Sequence, residues 1–202
     1  PTMVAAAEGG FAVTGIDINE DAVSGINAGR SHIEDVGEGT LAPLVRAGKI
    51  SATTDYAILN ELDVVLVCVP TPITKDKEPD LTSMAAAVAG LANHLRRDQS
   101  VVLQSTTFPG TIEEFVLPKL EATGLKVGED FYLAFALERI DPGNDHFDMR
   151  NVPKVVGGVT TKCTKVATEF FSAFLEQVIP VSSPKVAEMT KLLENTFRSV
   201  NI

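Results

Sequence analysis

The stretch "GFAVTGIDIN", residues 10–19, decides how the fold of this chain is interpreted. Residues 11–16 form a short, largely apolar run after two glycines, and Asp17 comes directly after the run. In dinucleotide-binding folds an acidic residue at the end of the second strand binds the ribose hydroxyls, about 20 residues after a G-x-G-x-x-G turn. A position about 20 residues before Asp17 would lie before Pro1. We therefore expect the run to be a second strand, with the first strand and the glycine turn lying before Pro1.

Short apolar runs alternate with helical patterns along the whole chain, which is typical of a parallel sheet with helices on both faces. Residues 64–69, "VVLVCV", are apolar at every position, as expected for a strand buried on both sides. The predicted strands are 11–17, 64–69, 101–103, 131–135 and 178–181, and the predicted helices are 1–10, 20–29, 40–48, 81–97, 110–124, 161–177 and one that begins at Pro184. The pattern predicts a Rossmann-like α/β fold, with a doubly wound, mostly parallel sheet that lacks its first strand.

Composition excludes several classes of partner. The 202 residues include 17 Lys and Arg against 27 Asp and Glu, a net charge of −10, which argues against a nucleic-acid partner. No apolar run approaches the length of a membrane span and no signal peptide pattern is visible, so we expect no membrane partner and a cytoplasmic location. Cys68 and Cys163 have neither metal-ligand nor C-x-x-C spacing, so no metal site is predicted. Cys68 lies in an apolar run and is expected to be a buried thiol rather than a nucleophile.

A second glycine pattern, "GEGTLA" at residues 37–42, formally fits G-x-G-x-x-A and opens a helical pattern. The residues before it, "SHIEDV", are polar and acidic rather than a buried strand, and their charge would repel a pyrophosphate. We interpret the pattern as a surface loop.

Two segments follow predicted strands at the end where doubly wound sheets bind ligands. In "CVPTP", residues 68–72, Pro70 and Thr71 belong to a rigid lip, although an ordinary turn would also explain the two prolines. In "QSTTFPGT", residues 104–111, hydroxyl side chains including Thr106 precede a Pro-Gly turn into a helix. Such hydroxyls can orient water or a substrate oxygen, and they can equally cap the helix.

The last predicted helix has one apolar and one polar side. At 100° per residue the apolar side consists of Val186, Met189, Leu192, Leu193, Phe197 and Val200, and the polar side of Glu188, Lys191, Asn195 and Arg198. A solvated face explains the polar side. Lys191 and Asn195, four residues apart, would also form a cation and amide pair able to hold a developing oxyanion. Because both lie opposite the apolar side, we expect their removal to leave no core cavity.

Six stretches together resemble the UDP-glucose/GDP-mannose dehydrogenase family, most closely its bacterial UDP-N-acetylglucosamine 6-dehydrogenases. They are "GFAVTGIDIN", "VVLVCVPTP", "QSTTFPGT", "ALERIDPGN", "VPKVVGG" and "VAEMTKLLENTFRSVN", and they cover essentially the whole chain. The resemblance implies an NAD-binding domain over residues 1–183, truncated at its N-terminus. It further implies that residues 184–202 begin a central helix leading to a sugar-binding domain.

The cofactor implied by the resemblance is NAD. Asp17 would bind the adenosine ribose and favour NAD over NADP, because a 2′-phosphate would meet its charge. Asp17 could also cap the helix that begins near Asn19, and both roles can hold together. Pro70 and Thr71 would line the nicotinamide side, with Thr106 close to the cofactor.

The reaction implied by the resemblance is oxidation of a nucleotide sugar's C6 alcohol to a carboxylate in two hydride transfers. Thr106 would position the catalytic water, Glu138 would act in hydrolysis of a thioester, and Lys191 and Asn195 would stabilise the oxyanion. The family's nucleophilic cysteine, in a G-G-H-C stretch, would lie beyond Ile202. We therefore expect the 202-residue chain by itself to be inactive.

The substrate partner expected from the resemblance is a UDP-N-acetylhexosamine, with UDP-N-acetylglucosamine first and UDP-N-acetylmannosamine or UDP-glucose as alternatives. The full-length enzyme is expected to form a homodimer or a higher homo-oligomer in nucleotide-sugar and polysaccharide biosynthesis. Two other interpretations stay open. A hydroxyacid dehydrogenase also places a lysine on the helix after its NAD domain, and a short nucleotide-binding module need have no enzymatic activity.

Overall fold

The computed structural model describes residues 1–31, 33, 36–137 and 152–201, which form a Rossmann-like α/β fold. The strands are β1 (Val13–Ile16), β2 (Ile50–Thr53), β3 (Val64–Val67), β4 (Ser100–Leu103), β5 (Tyr132–Ala136), β6 (Lys154–Gly158) and β7 (Val178–Pro180). The α-helices are α1 (Thr2–Glu8), α2 (Glu20–Asn27), α3 (Glu38–Arg46), α4 (Thr82–Ala92), α5 (Leu117–Glu121), α6 (Thr161–Ser172) and α7 (Pro184–Asn201). A 3-10 helix (Tyr56–Glu61) precedes β3, and a π-helix (Thr111–Val116) leads into α5.

Among the described residues, the first of two compact units contains residues 1–31, 33, 36–56, 152–153 and 172–177. Strands β1 and β2 pair in parallel, with Val13 opposite Ile50. Ala7, Leu41 and Ile50 form the buried centre of this unit, so α1 and α3 pack against the strands. The side chain of Asn27 fastens α2 to β2, since its amide both accepts from and donates to the Ala52 backbone. The packing of this unit therefore fixes the carboxyl end of β1, which Asp17 directly follows.

The second unit contains residues 57–137, 154–171 and 178–201 among those described. Its five strands have the order β3-β4-β5-β6-β7, and all neighbours are parallel except β5 and β6. Every residue of β4 and β6 is buried, which explains why the apolar run at residues 101–103 lacks the alternation of a half-exposed strand. The predicted mostly parallel α/β architecture is confirmed.

Five strands were predicted with bounds shifted by a few residues, and two strands were missed. Strand β2, "ISAT", has Ser51 exposed and is too short and polar to stand out as an apolar run. Strand β6, "KVVGG", ends in two glycines that usually disfavour strands. Here they permit close backbone packing, because a Cβ at Gly157 or Gly158 would lie 2.6 Å from the carbonyl carbon of Ser183 or Cys163.

Two local predictions were wrong. Cys68 is exposed rather than buried, because β3 ends at Val67 and the thiol lies beyond the sheet, where it donates to Gln104 Oε1 at 3.4 Å. Most of the "GEGTLA" pattern is helix rather than loop, since α3 begins at Glu38 with Gly37 as its N-cap. In the described part of the chain, no helix is long and apolar enough to cross a membrane. Nor do the described residues bring together three His, Cys, Asp or Glu side chains that could hold a metal ion.

Candidate functional site

The carboxyl ends of β3 and β4 lie side by side and bring two of the predicted segments together. The strands pair in parallel up to their last residues. The backbone N–H groups of Gln104 and Ser105 both donate to the Val67 carbonyl oxygen, at 2.9 and 3.3 Å. Residues 68–72 and 104–111 therefore start at the same edge of the sheet, which is where doubly wound folds bind their ligands.

The hydroxyl groups at this edge differ in their surroundings. Thr106 and Pro70 are exposed, so both can meet a molecule that arrives from solvent. The Oγ1 atoms of Thr71 and Thr107 are buried and have no hydrogen-bond partner among the described residues. An unpaired buried hydroxyl costs about 1–3 kcal/mol, so both groups are suited to a ligand or a water molecule. The sequence did not single out Thr107, because a run of three hydroxyl residues does not show which one is buried.

A tight turn ends the threonine-rich segment, as the sequence predicted. The Thr111 N–H donates to the Phe108 carbonyl oxygen at 3.1 Å. Gly110 has φ +101° and ψ −10°. With Pro109 before it, this geometry is a type II turn, whose third residue needs positive φ and therefore favours glycine. The π-helix begins directly after Gly110, so its first N–H groups need acceptors from elsewhere.

Helix α7 turns its polar side toward the rest of the second unit, and its apolar side is exposed. The expectation that the polar side is the solvated one was therefore wrong. Ala187 and Glu188 are completely buried. The large apolar side chains are between 42% and 78% exposed: Val186, Met189, Leu192, Leu193, Phe197 and Val200. Polarity alone suggests that the apolar side is buried. Here α7 packs on β5, β6 and the π-helix, and Glu188 on the inward side accepts from backbone N–H groups at the start of the π-helix.

Glu188 supplies those acceptors. Its Oε2 atom accepts from the Gly110 N–H at 2.6 Å, and its Oε1 atom accepts from the Ile112 N–H at 3.0 Å. Burial raises the pKa of Glu188 above its ordinary value, while the two backbone hydrogen bonds oppose that shift. Glu113 nearby raises the pKa further, and Lys185 lowers it. The sequence analysis placed Glu188 on a solvated face. Its position one turn before Lys191, on the same side of the helix, was the one sign in the sequence that it belongs to the site.

Lys191 and Asn195 lie on the same side of α7 as Glu188, and both are half-buried. The Oδ1 atom of Asn195 accepts from the Arg198 guanidinium at 2.8 Å. Because a guanidinium can only donate, this contact fixes the amide so that its NH2 group is turned to other partners. A lysine and an amide donor four residues apart can thus bind an oxygen that carries negative charge. Glu138, the other residue expected to act in this chemistry, lies outside the described residues.

Asp17 lies at the carboxyl end of β1 in the first unit, and it is exposed. Its N–H donates to the Thr53 carbonyl oxygen, and its Oδ1 atom accepts from the Asn19 N–H at 2.9 Å. The cap of α2 is Asn19 itself, whose side chain accepts from the N–H groups of Asp21 and Ala22. Among the described residues Oδ2 of Asp17 has no hydrogen-bond partner, so this oxygen is able to accept from a hydroxyl group of a ligand.

Comparison with known proteins agrees with a dehydrogenase domain. The model for the UDP-glucose/GDP-mannose dehydrogenase family, NAD binding domain, matches residues 1–175. The fold and this match define the class, an NAD-binding domain of dehydrogenases. The chain belongs to the UDP-glucose/GDP-mannose dehydrogenase family, and its cofactor is NAD.

Individual relatives agree with the family assignment. The UDP-N-acetyl-D-mannosamine dehydrogenase of Pyrococcus horikoshii is 35% identical over 203 residues, covering 100% of this chain and 48% of the relative. The UDP-N-acetyl-D-glucosamine 6-dehydrogenase of Pseudomonas aeruginosa is 34% identical over 192 residues, covering 94% and 45%. The chain thus spans about half the length of the curated relatives it matches.

Two solved structures share the fold over almost the whole chain. The UDP-D-ManNAc dehydrogenase of Pyrococcus horikoshii superposes with a TM-score of 0.93 at 34% identity, covering 100% of this chain and 48% of the other. A ternary complex of GDP-mannose dehydrogenase from Pseudomonas aeruginosa superposes with a TM-score of 0.92 at 26% identity, covering 99% and 47%. The Rossmann-like assignment therefore rests on experimental structures of dehydrogenases.

Taken one at a time, the residues predicted to bind NAD have side-chain chemistry that is compatible with it. In the first unit, Asp17 offers a carboxylate oxygen at a strand end, the place of a ribose acceptor. In the second unit, the buried Thr71 hydroxyl lacks a protein partner and can hydrogen-bond to a ligand. Neither position contains a basic side chain that would select a 2′-phosphate, since residues 70–72 are Pro-Thr-Pro and Asp17 is acidic.

Proposed function

We propose that this chain is the NAD-binding part of an enzyme that oxidises the C6 alcohol of a UDP-N-acetylhexosamine to the carboxylate. UDP-N-acetylglucosamine is our first candidate, and UDP-N-acetylmannosamine and UDP-glucose are the alternatives. The observation that carries the proposal is that Lys191 and Asn195 are half-buried and lie on the same side of α7 as the buried Glu188. The two relatives support the class of substrate, since one is named for UDP-N-acetyl-D-mannosamine and the other for UDP-N-acetyl-D-glucosamine.

The residues divide the work by their chemistry. The ammonium group of Lys191 and the amide NH2 of Asn195 stabilise the negative charge that develops on the sugar C6 oxygen. The Thr106 hydroxyl orients the water that releases the acid, and Glu138 assists that water as a general base. NAD, when bound, accepts hydride. Asp17 binds its ribose, while Pro70 shapes the nicotinamide side and the Thr71 hydroxyl hydrogen-bonds there.

The organisation of the enzyme follows from the same proposal. Residues 1–183 form the NAD-binding domain, and residues 184–202 begin the helix that leads to the sugar-binding domain. The exposed apolar side of α7 is compatible with a chain that continues into further structure. A homodimer or higher homo-oligomer, a cytoplasmic location, a part in polysaccharide biosynthesis and the inactivity of the isolated chain stay predictions.

Initial rates of NADH formation test the proposal. The enzyme that contains this chain is supplied with NAD and, in separate assays, with UDP-N-acetylglucosamine, UDP-N-acetylmannosamine and UDP-glucose. We expect the highest kcat/KM with UDP-N-acetylglucosamine. A higher kcat/KM with one of the other two sugars would make that sugar the substrate in place of UDP-N-acetylglucosamine. Absence of NADH formation with all three would refute the proposed function.

A further inference from the structure

Glu188 connects two segments that act in the proposed reaction. One is the segment at residues 104–111, whose Thr106 orients water, and the other is α7, whose Lys191 and Asn195 bind the oxyanion. Glu188 precedes Lys191 by three residues and Asn195 by seven, so all three side chains leave the same side of α7. Its two carboxylate oxygens accept from the N–H groups of Gly110 and Ile112, at 2.6 and 3.0 Å. One buried side chain therefore connects α7 to the turn at the end of the threonine-rich segment.

The acceptor for the start of the π-helix comes from a distant part of the sequence, so this contact couples the π-helix to α7. A helix N-terminus is usually capped by a Ser, Thr, Asp or Asn of its own chain segment. The π-helix has Gly110 as its N-cap and no side-chain cap of its own. The acceptor comes instead from Glu188, 78 residues later in the sequence. Two N–H groups at the beginning of the π-helix, those of Gly110 and Ile112, are thus satisfied by α7.

Two hydrogen bonds to two N–H groups restrict α7 more than one bond would. A single bond allows α7 to rotate about the contact, whereas a carboxylate that binds through both oxygens fixes rotation and translation together. Thr106 precedes Gly110 by four residues, and Pro109 stiffens the turn between them by fixing its own φ. The position of Thr106 is therefore coupled to that of Lys191 through Glu188.

An exposed ion pair lies beside the buried contact and offers a comparison. Lys185 on α7 contacts Glu113 and Glu114 on the π-helix, each at 3.2 Å. Lys185 is 49% exposed and Glu114 70% exposed, and pairs of this kind contribute little because water screens them. The charged groups that face Glu188 are Glu113 from the π-helix and Lys185 from its own helix.

We propose that Glu188 is a positioning residue, which holds Thr106 and the Lys191–Asn195 pair in the relative placement that the reaction needs. The inference rests on the proposed function, because that function gives these three residues their roles. Glu188 itself touches neither substrate nor cofactor in this scheme. Each of its carboxylate oxygens accepts from a backbone N–H group, and the side chain is completely buried.

The test compares Glu188→Gln with the matched control Glu114→Gln in the 6-dehydrogenase that contains this chain. Glutamine keeps the size of Glu188 but turns an NH2 group toward one of the two N–H donors, so one hydrogen bond is lost. The control removes a carboxylate beside the same turn and leaves both bonds intact. We expect kcat to fall by about 10²-fold in Glu188→Gln, the loss typical of catalytic groups displaced by about 1 Å. KM for NAD should change by less than about twofold, and the control should match the wild type.

Hydrogen exchange over residues 104–116 measures the same bonds without turnover. Exchange should be faster in Glu188→Gln and unchanged in Glu114→Gln. If Glu188→Gln does not fold, Glu188→Asp takes its place, because the shorter side chain keeps the charge and cannot reach both N–H groups; its kcat should also fall. Wild-type kcat in a folded Glu188 variant, or unchanged exchange, would overturn the positioning role. Absence of turnover in the wild type would refute the proposed function, and faster exchange in Glu188→Gln would then still establish the contact.

Discussion

Replacing Gly157 by alanine will force β6 and the start of α7 apart. A Cβ at this position would overlap the Ser183 carbonyl group, with its carbon at 2.6 Å, and would lie 3.1 Å from the Pro184 nitrogen. These are backbone atoms, so no side-chain rotation relieves the overlap. Inserting a methyl group into a fully packed site costs about 1–3 kcal/mol. For a chain of this size each kcal/mol lowers the melting temperature by about 2–4 °C, which gives a loss of about 2–12 °C.

Thermal unfolding of the 202-residue chain measures this loss. The matched control is Gly39→Ala, because nothing lies within 4 Å of a Cβ there and Gly39 is inside α3. Alanine is favoured over glycine in a helix by about 0.5–1 kcal/mol, so the control should melt at or above the wild-type temperature. If Gly157→Ala melts as high as the wild type, the close packing of β6 on the start of α7 is not as described.

Three further predictions concern α7. Lys191→Ala and Asn195→Ala should each lower turnover of the enzyme about 10²–10³-fold while the enzyme stays folded; wild-type turnover would remove that residue from the oxyanion site. Phe197 is 67% exposed, so Phe197→Ser should change the free energy of unfolding of the 202-residue chain by less than about 0.5 kcal/mol. A loss above about 2 kcal/mol would mean that the apolar side is buried after all. Because the pKa of Glu188 is raised in the folded chain, the stability of the wild type relative to Glu188→Gln should be highest below pH 4.5 and fall as pH rises through the raised pKa. Urea unfolding of both proteins across this range measures the difference, and an increase with pH would contradict the sign.

Much of the fold could be predicted because buried parallel strands have a strong sequence pattern. Val64–Val67 and Ser100–Leu103 were found from their apolar runs, and parallel pairing then placed the segments after them at one edge. Strand β2 was missed because it is short and half polar. Strand β6 was missed because its glycines serve close backbone packing, Gly157 on Ser183 before α7 and Gly158 on Cys163 in α6, and such packing is not a property of the strand's own sequence.

The candidate site was predictable in its residue types and not in its arrangement. The i, i+4 spacing of Lys191 and Asn195 identified a possible donor pair. The pattern of α7 gave the wrong side to the core, because it cannot show that Gly110 and Ile112 leave N–H groups in need of an acceptor. Glu188 therefore emerged only from the structure. For Asp17 the sequence allowed two roles, and the structure assigns the helix cap to Asn19.

The number of NADH molecules formed per sugar distinguishes oxidation to a carboxylate from oxidation by a single hydride transfer. Oxidation of an alcohol to a carboxylate removes two hydrides, whereas oxidation of a hydroxyacid or formation of an aldehyde removes one. The enzyme that contains this chain is given a limiting amount of UDP-N-acetylglucosamine with excess NAD, and NADH is measured at completion. We predict two NADH for each UDP-sugar consumed, together with the uronate as product. One NADH per sugar, or consumption of the sugar without NADH, would rule out oxidation of the C6 alcohol to the carboxylate.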